Sequence, residues 1–389
     1  MNMGKLMDTD LLFAGGGLSG LSLAWHIETA MPGRYRMIIV DREARVGDDR
    51  TWCFWEKGEG PFQAAVIKQW DRLKVLGPDW ERILDIPPYA YRMIRSSAFY
   101  ALVREGLAAA PGIQFLTADI LGLESEKDSA VLRSSIGNLR GRWLFNSALR
   151  PDIPARRTRT LLQHFKGYFL TMPRSTFDPD VPHFMDFRVE QGKDVRFVYV
   201  LPITETRALA EFTVFSPRVW EQQEYHNTLQ DYLGNILGIK DYVVDEEEFG
   251  VIPMTDHPHP LRTGRRILNL GTAGGRTKAS TGFTFVNVQR HSAAVALSLQ
   301  SKGHPFARMP LCHKRYSLYD AILLDVLTRN LYPGRDIFSH MFLRNAPVTV
   351  FDFLGEQSRF HQELQLFASF PQGPFVRAFL RVARHRLGL

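Results

Sequence analysis

A glycine-rich turn near the start of the chain constrains the fold more than any other segment. The run Gly15–Gly20 (GGGLSG) follows an apolar segment, Asp10 to Ala14, and leads into a stretch with apolar residues at helical spacing, Leu18 to Ala30. The apolar run Arg36 to Val40 predicts a second strand, which Asp41 closes. This order predicts a strand, a helix and a second strand that pack as one β-α-β unit.

Glycines at this spacing suit the binding of a dinucleotide. One glycine allows a tight turn, another lets the backbone approach a pyrophosphate, and the third lets helix and strand pack closely. The helix N-terminus offers free N–H groups to phosphate, and an acid after the second strand receives the ribose hydroxyls. The alternative is a glycine turn without a ligand, in which Asp41 is only a solvated strand end. The predicted cofactor-binding residues here are Gly15, Gly16, Gly17, Leu18, Ser19, Gly20 and Asp41.

A second glycine turn, GTAGG at residues 271–275, favours FAD over NAD. It follows a short apolar strand and precedes Thr281-Gly282-Phe283 and a further helix. Its backbone N–H groups can face the isoalloxazine ring or the pyrophosphate of a flavin. The alternative is a plain helix cap by Ser280 or Thr281. The predicted cofactor-binding residues of this segment are Gly271, Thr272, Ala273, Gly274, Thr281, Gly282 and Phe283.

The rest of the sequence predicts a mixture of helices and strands, with no linker between domains. Ser96 and Ser97 are predicted to cap a helix that runs through Leu107 and Ala110. Strands dominate between Gly167 and Phe215, and the chain is mainly helical after Phe285. A hairpin is expected around residues 204–206. Since no low-complexity segment separates these parts, a second domain is expected to be inserted into the first.

Composition limits the classes of binding partner and the cellular compartment that we expect for this chain. The net charge of +7 favours anionic partners, and because no nucleic-acid motif is present, a cofactor or a membrane surface ranks above nucleic acid. No apolar stretch reaches about 18 residues, so a spanning helix is not expected. The beginning of the chain does not read as a secretory signal. The two cysteines, Cys53 and Cys312, form neither a disulfide framework nor a metal motif, which indicates a cytoplasmic protein without a metal site.

Several longer segments, taken in order, resemble those of bacterial lycopene cyclases, the flavoprotein type that forms β-ionone rings on carotenoids. The resemblance runs over almost the whole chain. Beyond the two glycine turns, the segments are GDDRTWCFW (47–55), QHFKGY (163–168), MDFR (185–188), FVYVLP (197–202), LAEFTVFSP (209–217) and EFGVIPMT (248–255). Plant-type members often carry two adjacent glutamates where this chain has Glu211 and Phe212.

The resemblance implies an α/β (mixed α+β) fold of the hydroxybenzoate hydroxylase and geranylgeranyl reductase type. A Rossmann-like FAD-binding domain is expected from residues 1–60, 95–160 and 250–300. A mixed β-sheet substrate domain is expected from 61–94 and 161–249, with a helical C-terminal region at 301–389. Arg42 and Arg50 complete the predicted cofactor contacts.

The resemblance also implies a redox-neutral, acid-catalysed cyclisation of lycopene. The expected cofactor is reduced FAD, with NADPH or NADH as reductant, and the enzyme is expected in the cytoplasm, peripherally associated with the inner membrane. Its oligomeric state is left open. Two alternatives share the fold: an FAD-dependent isoprenoid reductase or hydroxylase that consumes NAD(P)H, and a prenyl-carrier protein without catalysis.

Ring closure needs a strong acid, because an alkene is a weak base. Glu211 is the predicted acid: on a strand it shares one face with Leu209 and Thr213, and desolvation keeps such a carboxyl protonated. The alternative is a glutamate that pairs with Arg207. Asp186 is a second catalytic candidate, or else an ordinary partner of Arg188.

Other residues receive supporting roles. Glu248 is expected to be structural or to support the site from behind, and the alternative is a direct role. Phe212, Phe215 and Phe283 are candidates for stabilising a cation by contacts with their ring faces. The C-terminal segment Phe375 to Leu389 reads as a basic amphipathic helix on a membrane surface, with Arg377, Arg381 and Arg384 on one stripe; the alternative is a helix packed on its own domain.

Overall fold

The computed structural model describes residues 7–149, 158–307 and 312–387. Its strands are β1 (Met7–Ala14), β2 (Met37–Asp41), β3 (Thr51–Lys57), β4 (Val66–Trp70), β5 (Arg72–Gly77), β6 (Trp80–Asp85), β7 (Tyr89–Arg95), β8 (Ile113–Thr117), β9 (Ile120–Ser125), β10 (Ala130–Ser134), β11 (Gly137–Asn146), β12 (Thr160–Thr171), β13 (His183–Asp186), β14 (Val195–Pro202), β15 (Arg207–Ser216), β16 (Val243–Thr255) and β17 (Ile267–Asn269). Its α-helices are α1 (Leu18–Ala30), α2 (Ser96–Ala108), α3 (Gln222–Asp231), α4 (Phe285–Lys302), α5 (Cys312–Thr328), α6 (Gly334–Arg344), α7 (Pro347–Leu354), α8 (Phe360–Ala368) and α9 (Gln372–Leu387). A π-helical turn, Tyr232–Ile236, continues α3.

The first sheet contains the predicted β-α-β unit. Its strand order is β8-β2-β1-β11-β10-β9, with β17 beside β11. β8, β2, β1, β11 and β17 are parallel, whereas β10 and β9 are antiparallel to their neighbours. Leu11, Leu12 and Phe13 are fully buried, because hydrophobic clusters cover both faces of the sheet. The parallel strands end at one edge, and both glycine turns lie there.

The second sheet has the order β16-β12-β15-β14-β13-β5-β6 and is antiparallel except for the β13–β5 pair. β14 and β15 form the predicted hairpin. β16 pairs with β12 from Val243 to Thr255 and so crosses the boundary expected at residue 250. The proposed division of the chain into domains stays a prediction.

A third sheet, β3-β7-β4, lies in a stretch for which no individual strands were predicted. The polar and charged residues interleaved there obscure the alternation of apolar positions. Arg92 on β7 shows how the sheet accommodates them. Its guanidinium is buried and donates hydrogen bonds to Glu56 (3.0 Å), to Gln69 (3.1 Å) and to the carbonyl of Gly58 (2.6 Å).

The predicted helical C-terminus is confirmed, and α5 to α9 cover the second sheet. Asp325 on α5 is fully buried and accepts from Arg381 on α9 and from Arg159 beside β12. These contacts outweigh burial and hold the pKa of Asp325 below its usual value. Among the described residues no helix is both long and apolar enough to cross a membrane.

Candidate active site

A cavity of about 710 Å³ lies between the carboxyl ends of the first sheet's parallel strands and one face of the second sheet. In open α/β sheets, ligands bind outside the carboxyl ends of the strands. Twelve of the sixteen predicted cofactor-binding residues line it, namely Gly15, Gly17, Leu18, Ser19, Asp41, Arg42, Arg50, Gly271, Thr272, Thr281, Gly282 and Phe283. Gly16, Gly20, Ala273 and Gly274 do not line it, and two of these have evident packing roles.

The first glycine turn has the backbone that a phosphate site needs. Gly15 has φ +109°, a conformation that favours glycine. A β-carbon on Gly20 would lie 2.0 Å from the carbonyl oxygen of Gly15, so only glycine lets α1 pack this closely. No side chain caps the N-terminus of α1, and no acidic residue occupies its first turn. Its N–H groups therefore face the cavity with the positive end of the helix dipole.

Asp41 ends β2 and is tied to the same turn. Its Oδ2 accepts a hydrogen bond from the backbone N–H of Gly16 at 2.7 Å, and the Arg45 Nε lies 3.4 Å away. The carboxylate is largely buried and borders the cavity. The geometry therefore places an acid where the ribose hydroxyls of a dinucleotide would need one.

The second glycine turn packs directly on the first. Gly271 has φ +54°, and Gly274 is placed so that a β-carbon would lie 2.3 Å from the carbonyl oxygen of Asn269. The alternative of a plain helix cap by Ser280 or Thr281 is wrong, because α4 begins only at Phe285. The Ser280 hydroxyl instead donates to Asp320 at 2.7 Å.

Within the described ranges, two buried atoms of uncharged side chains on the cavity wall have no hydrogen-bond partner. They are Oγ1 of Thr281 and Oε1 of Gln163. Unpaired buried polar groups are costly unless a ligand or water satisfies them. Together with the uncapped N-terminus of α1, these atoms fit a ligand that is rich in hydrogen-bonding groups, as FAD is.

Two glutamates meet at the other end of the cavity. Glu211 on β15 and Glu248 on β16 both lie opposite Gly167 of the intervening strand β12. The two carboxyls flank this glycine closely enough for each to influence the pKa of the other. Thr213 donates to Glu211 at 3.0 Å, and Thr51 donates to Glu248 at 2.7 Å. Both side chains are half-buried and line the cavity.

The environment of Glu211 favours the protonated form of its carboxyl. Burial, together with the negative charge of Glu248, raises the pKa of Glu211 well above its usual value. Burial and the charge of Glu246 also raise the pKa of Glu248, but the hydrogen bond from Thr51 and the charge of Arg95 oppose that effect. Both carboxyls therefore favour their protonated form, Glu211 more strongly, and the two titrate as an interacting pair.

From the sequence, a structural or supporting role for Glu248 was preferred to a direct role, and the structure places its side chain on the cavity beside Glu211. Most groups around the pair were not found from the sequence. Tyr199 lies directly opposite Glu211 on β14, and Tyr91 and Cys53 border the cavity beside it. Burial raises the pKa of all three groups, so they stay neutral. The signal available in the sequence was the glutamate at the head of EFGVIPMT.

Asp186 is not brought to this cavity. Its carboxylate is fully buried and accepts from the Arg188 Nε at 2.9 Å and from the Tyr232 hydroxyl at 2.6 Å. This geometry agrees with the alternative, in which Asp186 is an ordinary ion-pair partner of Arg188. Nothing in the geometry supports the predicted catalytic role of Asp186.

The three phenylalanines have different surroundings. Phe283 lines the cavity. Phe212 points to the opposite face of β15 and packs on Trp220, because neighbouring strand residues alternate in direction. A second glutamate at that position would therefore not reach the cavity from this backbone. Phe215 packs in the core against Phe338.

Comparisons with known proteins agree on family and fold. Residues 10–380 match the family described as lycopene cyclase protein. A lycopene beta-cyclase of Pseudescherichia vulneris is 26% identical over 257 residues, 63% of this chain and 62% of the relative. One of a Paracoccus strain is 29% identical over 214 residues, 54% of this chain and 52% of the relative. The alignments thus span less than two thirds of either relative.

Solved structures resemble the whole chain at low identity. A geranylgeranyl bacteriochlorophyll reductase-like protein from Thermoplasma acidophilum superposes with a TM-score of 0.59 at 15% identity, covering 98% of this chain and 96% of that one. The flavin-dependent monooxygenase PieE gives 0.60 at 12% identity, covering 97% and 72%. These likenesses confirm the predicted fold class.

Proposed function

This chain belongs to the lycopene cyclase family, and from that membership we propose that it is a lycopene β-cyclase. It closes the linear ψ-ends of lycopene into β-ionone rings, through γ-carotene to β-carotene, without net oxidation or reduction. The observation that carries this proposal is the position of the Glu211 carboxyl, which lines the same cavity as both glycine turns and whose pKa is raised by burial and by the charge of Glu248. Lysine or arginine next to Glu211 would favour the ionised form, and Arg207, the partner considered from sequence, lies near Asp245 instead.

Glu211 supplies the proton that starts the reaction. Protonation of the terminal double bond leaves a tertiary cation, which the neighbouring double bond attacks to close a six-membered ring. A carboxyl with a raised pKa retains its proton at neutral pH and can act as a general acid. We assign no step to Asp186, because its carboxylate is occupied by Arg188 and Tyr232.

The side chains around Glu211 protect the cation. Tyr91, Tyr199 and Phe283 border the cavity with aromatic rings, and Leu209 adds an apolar surface. Aromatic faces stabilise a nearby cation by about 0.5–2 kcal/mol each. A wall of this kind also limits water, which would otherwise trap the cation as an alcohol.

The two glycine turns hold FAD in this proposal. The N–H groups of α1 would bind the pyrophosphate, Asp41 would bind the ribose hydroxyls, and Thr281 would offer its unpaired hydroxyl to the bound flavin. When bound and reduced, FAD supplies negative charge near the developing cation. NADPH or NADH serves as the reductant that primes it.

The C-terminal helices bring the enzyme to the membrane, where the apolar substrate dissolves. α9 packs on the protein through Ala378 and Val382, and Arg381 is held by Asp325. The alternative of a packed helix thus applies to one side of α9. The other side is exposed, and with α8 it presents the side chains of Phe360, Leu364, Val376, Phe379, Leu380 and Leu387. Such an apolar face beside basic residues suits peripheral contact with the cytoplasmic side of the inner membrane.

The test is turnover of lycopene in liposomes by the purified chain with FAD under anaerobic conditions. We expect β-carotene with NADPH present, and consumption of NADPH far below one equivalent per ring. Stoichiometric consumption of NADPH would instead show an isoprenoid reductase or hydroxylase. Binding of lycopene without any product would show a carrier.

A further inference from the structure

Gly167 on β12 lies between the two glutamates of the cavity and has no side chain. In the register of the sheet it lies opposite Glu211 on one side and opposite Glu248 on the other. A β-carbon on Gly167 would lie 2.9 Å from Cγ of Glu248 and 2.9 Å from Cδ1 of Leu209. Gly167 does not have a positive φ, so backbone strain does not require glycine here. Glycine is required here because a side chain would enter the space between the two carboxyls.

We propose that Gly167 and Glu248 are positioning residues that make Glu211 a proton-sharing acid: the missing side chain lets the two carboxyls meet and hold one proton between them. This inference rests on the proposed function and goes beyond it by assigning the partner of the acid and the residue that permits the partnership. Two carboxyls in contact cannot both ionise easily, and the second proton is held much more tightly than in an isolated carboxyl.

The surrounding charges decide which glutamate is ionised. Thr51 donates to Glu248, and Arg95, whose guanidinium contacts Glu246 and Asp48, adds positive charge on that side. Among the residues that the structure describes, no cationic group contacts Glu211, whose hydroxyl neighbour is Thr213. The charge of Glu246 acts on Glu248 in the opposite sense to Arg95. Cys53, Tyr91 and Tyr199 also face the pair and are neutral.

The proton count of the reaction fits a pair with one proton. The O–H bond of Glu211 breaks as a C–H bond forms at the terminal alkene carbon, and a C–C bond closes the ring. A ring C–H bond then breaks, its electrons form the ring double bond, and the carboxylate pair takes up that proton. One proton leaves and one returns, so the pair ends as it began and no electron is transferred.

The test compares Glu248→Gln, Gly167→Ala and the double variant by the pH dependence of cyclisation. Both single changes remove the influence of the Glu248 charge on Glu211, so the proton of Glu211 should be lost at lower pH. We expect the alkaline limb of the pH–rate profile to shift to lower pH by about one unit or more in each variant. The double variant should move no further, because both changes remove the same interaction.

Matched controls separate this effect from general damage. Glu247→Gln removes a carboxylate from the same strand that contacts Lys166 instead, and Gly234→Ala adds a methyl group where no atom lies within 4 Å. Both carry the same flavin, so any pH dependence of the cofactor appears in them as well. Bound-flavin absorbance and the melting temperature show whether each variant is folded.

A second measurement does not depend on turnover. Infrared difference spectra of the flavin-loaded protein should show a protonated carboxyl at neutral pH that is absent in Glu211→Gln and titrates at lower pH in Gly167→Ala. Absence of lycopene turnover in the wild-type protein would overturn the proposed function, while this titration still tests the pair. Unchanged titration and an unchanged alkaline limb in Glu248→Gln and Gly167→Ala would overturn the inference.

Discussion

The hydroxyl oxygen of Ser19 lies 2.3 Å from the position that a β-carbon on Gly271 would take. This contact joins the first turn of α1 to the late glycine turn, so residues from opposite ends of the chain form one wall of the cavity. Gly271 also has φ +54°, which disfavours any side chain. The cofactor site therefore depends on this glycine for space as well as for backbone conformation.

Replacing Gly271 with alanine should weaken flavin binding. The new methyl group would displace Ser19 at the start of α1, where the N–H groups face the cavity. We expect the Kd for FAD to rise at least about tenfold, which corresponds to about 1.4 kcal/mol, as measured by flavin fluorescence titration. The control is Gly303→Ala, which has φ +70° and open space around it. Equal FAD affinity in the two variants would contradict the expectation.

Replacing Glu211 with glutamine should abolish ring formation and leave the fold intact. Glutamine keeps the hydrogen-bonding size of the side chain but has no acidic proton. Loss of a general acid typically costs about 10²–10⁴-fold in rate, and we expect a loss in that range for β-carotene formation, measured by chromatography. Glu247→Gln, on the same sheet but in contact with Lys166, should retain activity. Full activity of Glu211→Gln would show that another group is the catalytic acid.

Replacing Lys278 with methionine should destabilise the protein strongly. Its ammonium is buried and contacts Asp320 at 2.9 Å and Glu356 at 3.1 Å, linking the late glycine segment to the C-terminal helices. Removing one member of a buried ion pair costs about 3–5 kcal/mol, because the partner charge stays buried. Denaturant unfolding should show this loss. The same change at Lys74, which pairs with the more exposed Glu81, should cost about 1 kcal/mol or less.

The stability of the protein should fall as the pH decreases from about 6.5 towards 3. Burial and the nearby charge of Arg276 lower the pKa of His291 to about 3, while the unfolded chain keeps a pKa near 6.5. In that window the unfolded state binds more protons, so acid favours unfolding by about 1.4 kcal/mol per pH unit. His291→Gln should show a shallower decrease in the free energy of unfolding over the same range. An identical slope in both proteins would exclude this residue as the cause.

The parts of the fold that the sequence predicts are those set by local pattern. GGGLSG and the flanking apolar runs define β1, α1 and β2, and the observed α1 has the predicted limits. The strands between Thr51 and Arg95 were missed, because a buried arginine and its partners interrupt their alternation. The local sequence also could not decide whether Asp186 is a catalytic residue or the ion-pair partner of Arg188.

The carboxyl pair lies beyond what local pattern can show. The face of Glu211 follows from strand alternation, and the structure places it on the cavity. Its contact with Glu248 depends on the register of three strands, which long-range pairing sets. A glycine opposite two acids has no signature until that register is known.

The exposed apolar face of α8 and α9 should be needed for binding to membranes. Phe379 and Leu380 on α9 are about half exposed, whereas Ala378 and Val382 are buried and anchor the helix to the protein. Replacing Phe379 and Leu380 together with aspartate removes apolar contact and adds negative charge, and both effects oppose association with an anionic bilayer. We expect at least about tenfold weaker sedimentation with anionic liposomes and an unchanged melting temperature. The control is Ile136→Asp, an exposed apolar position in the turn between β10 and β11, remote in sequence from these helices. Equal loss of liposome binding in both variants would show that charge alone, rather than this face, governs the association.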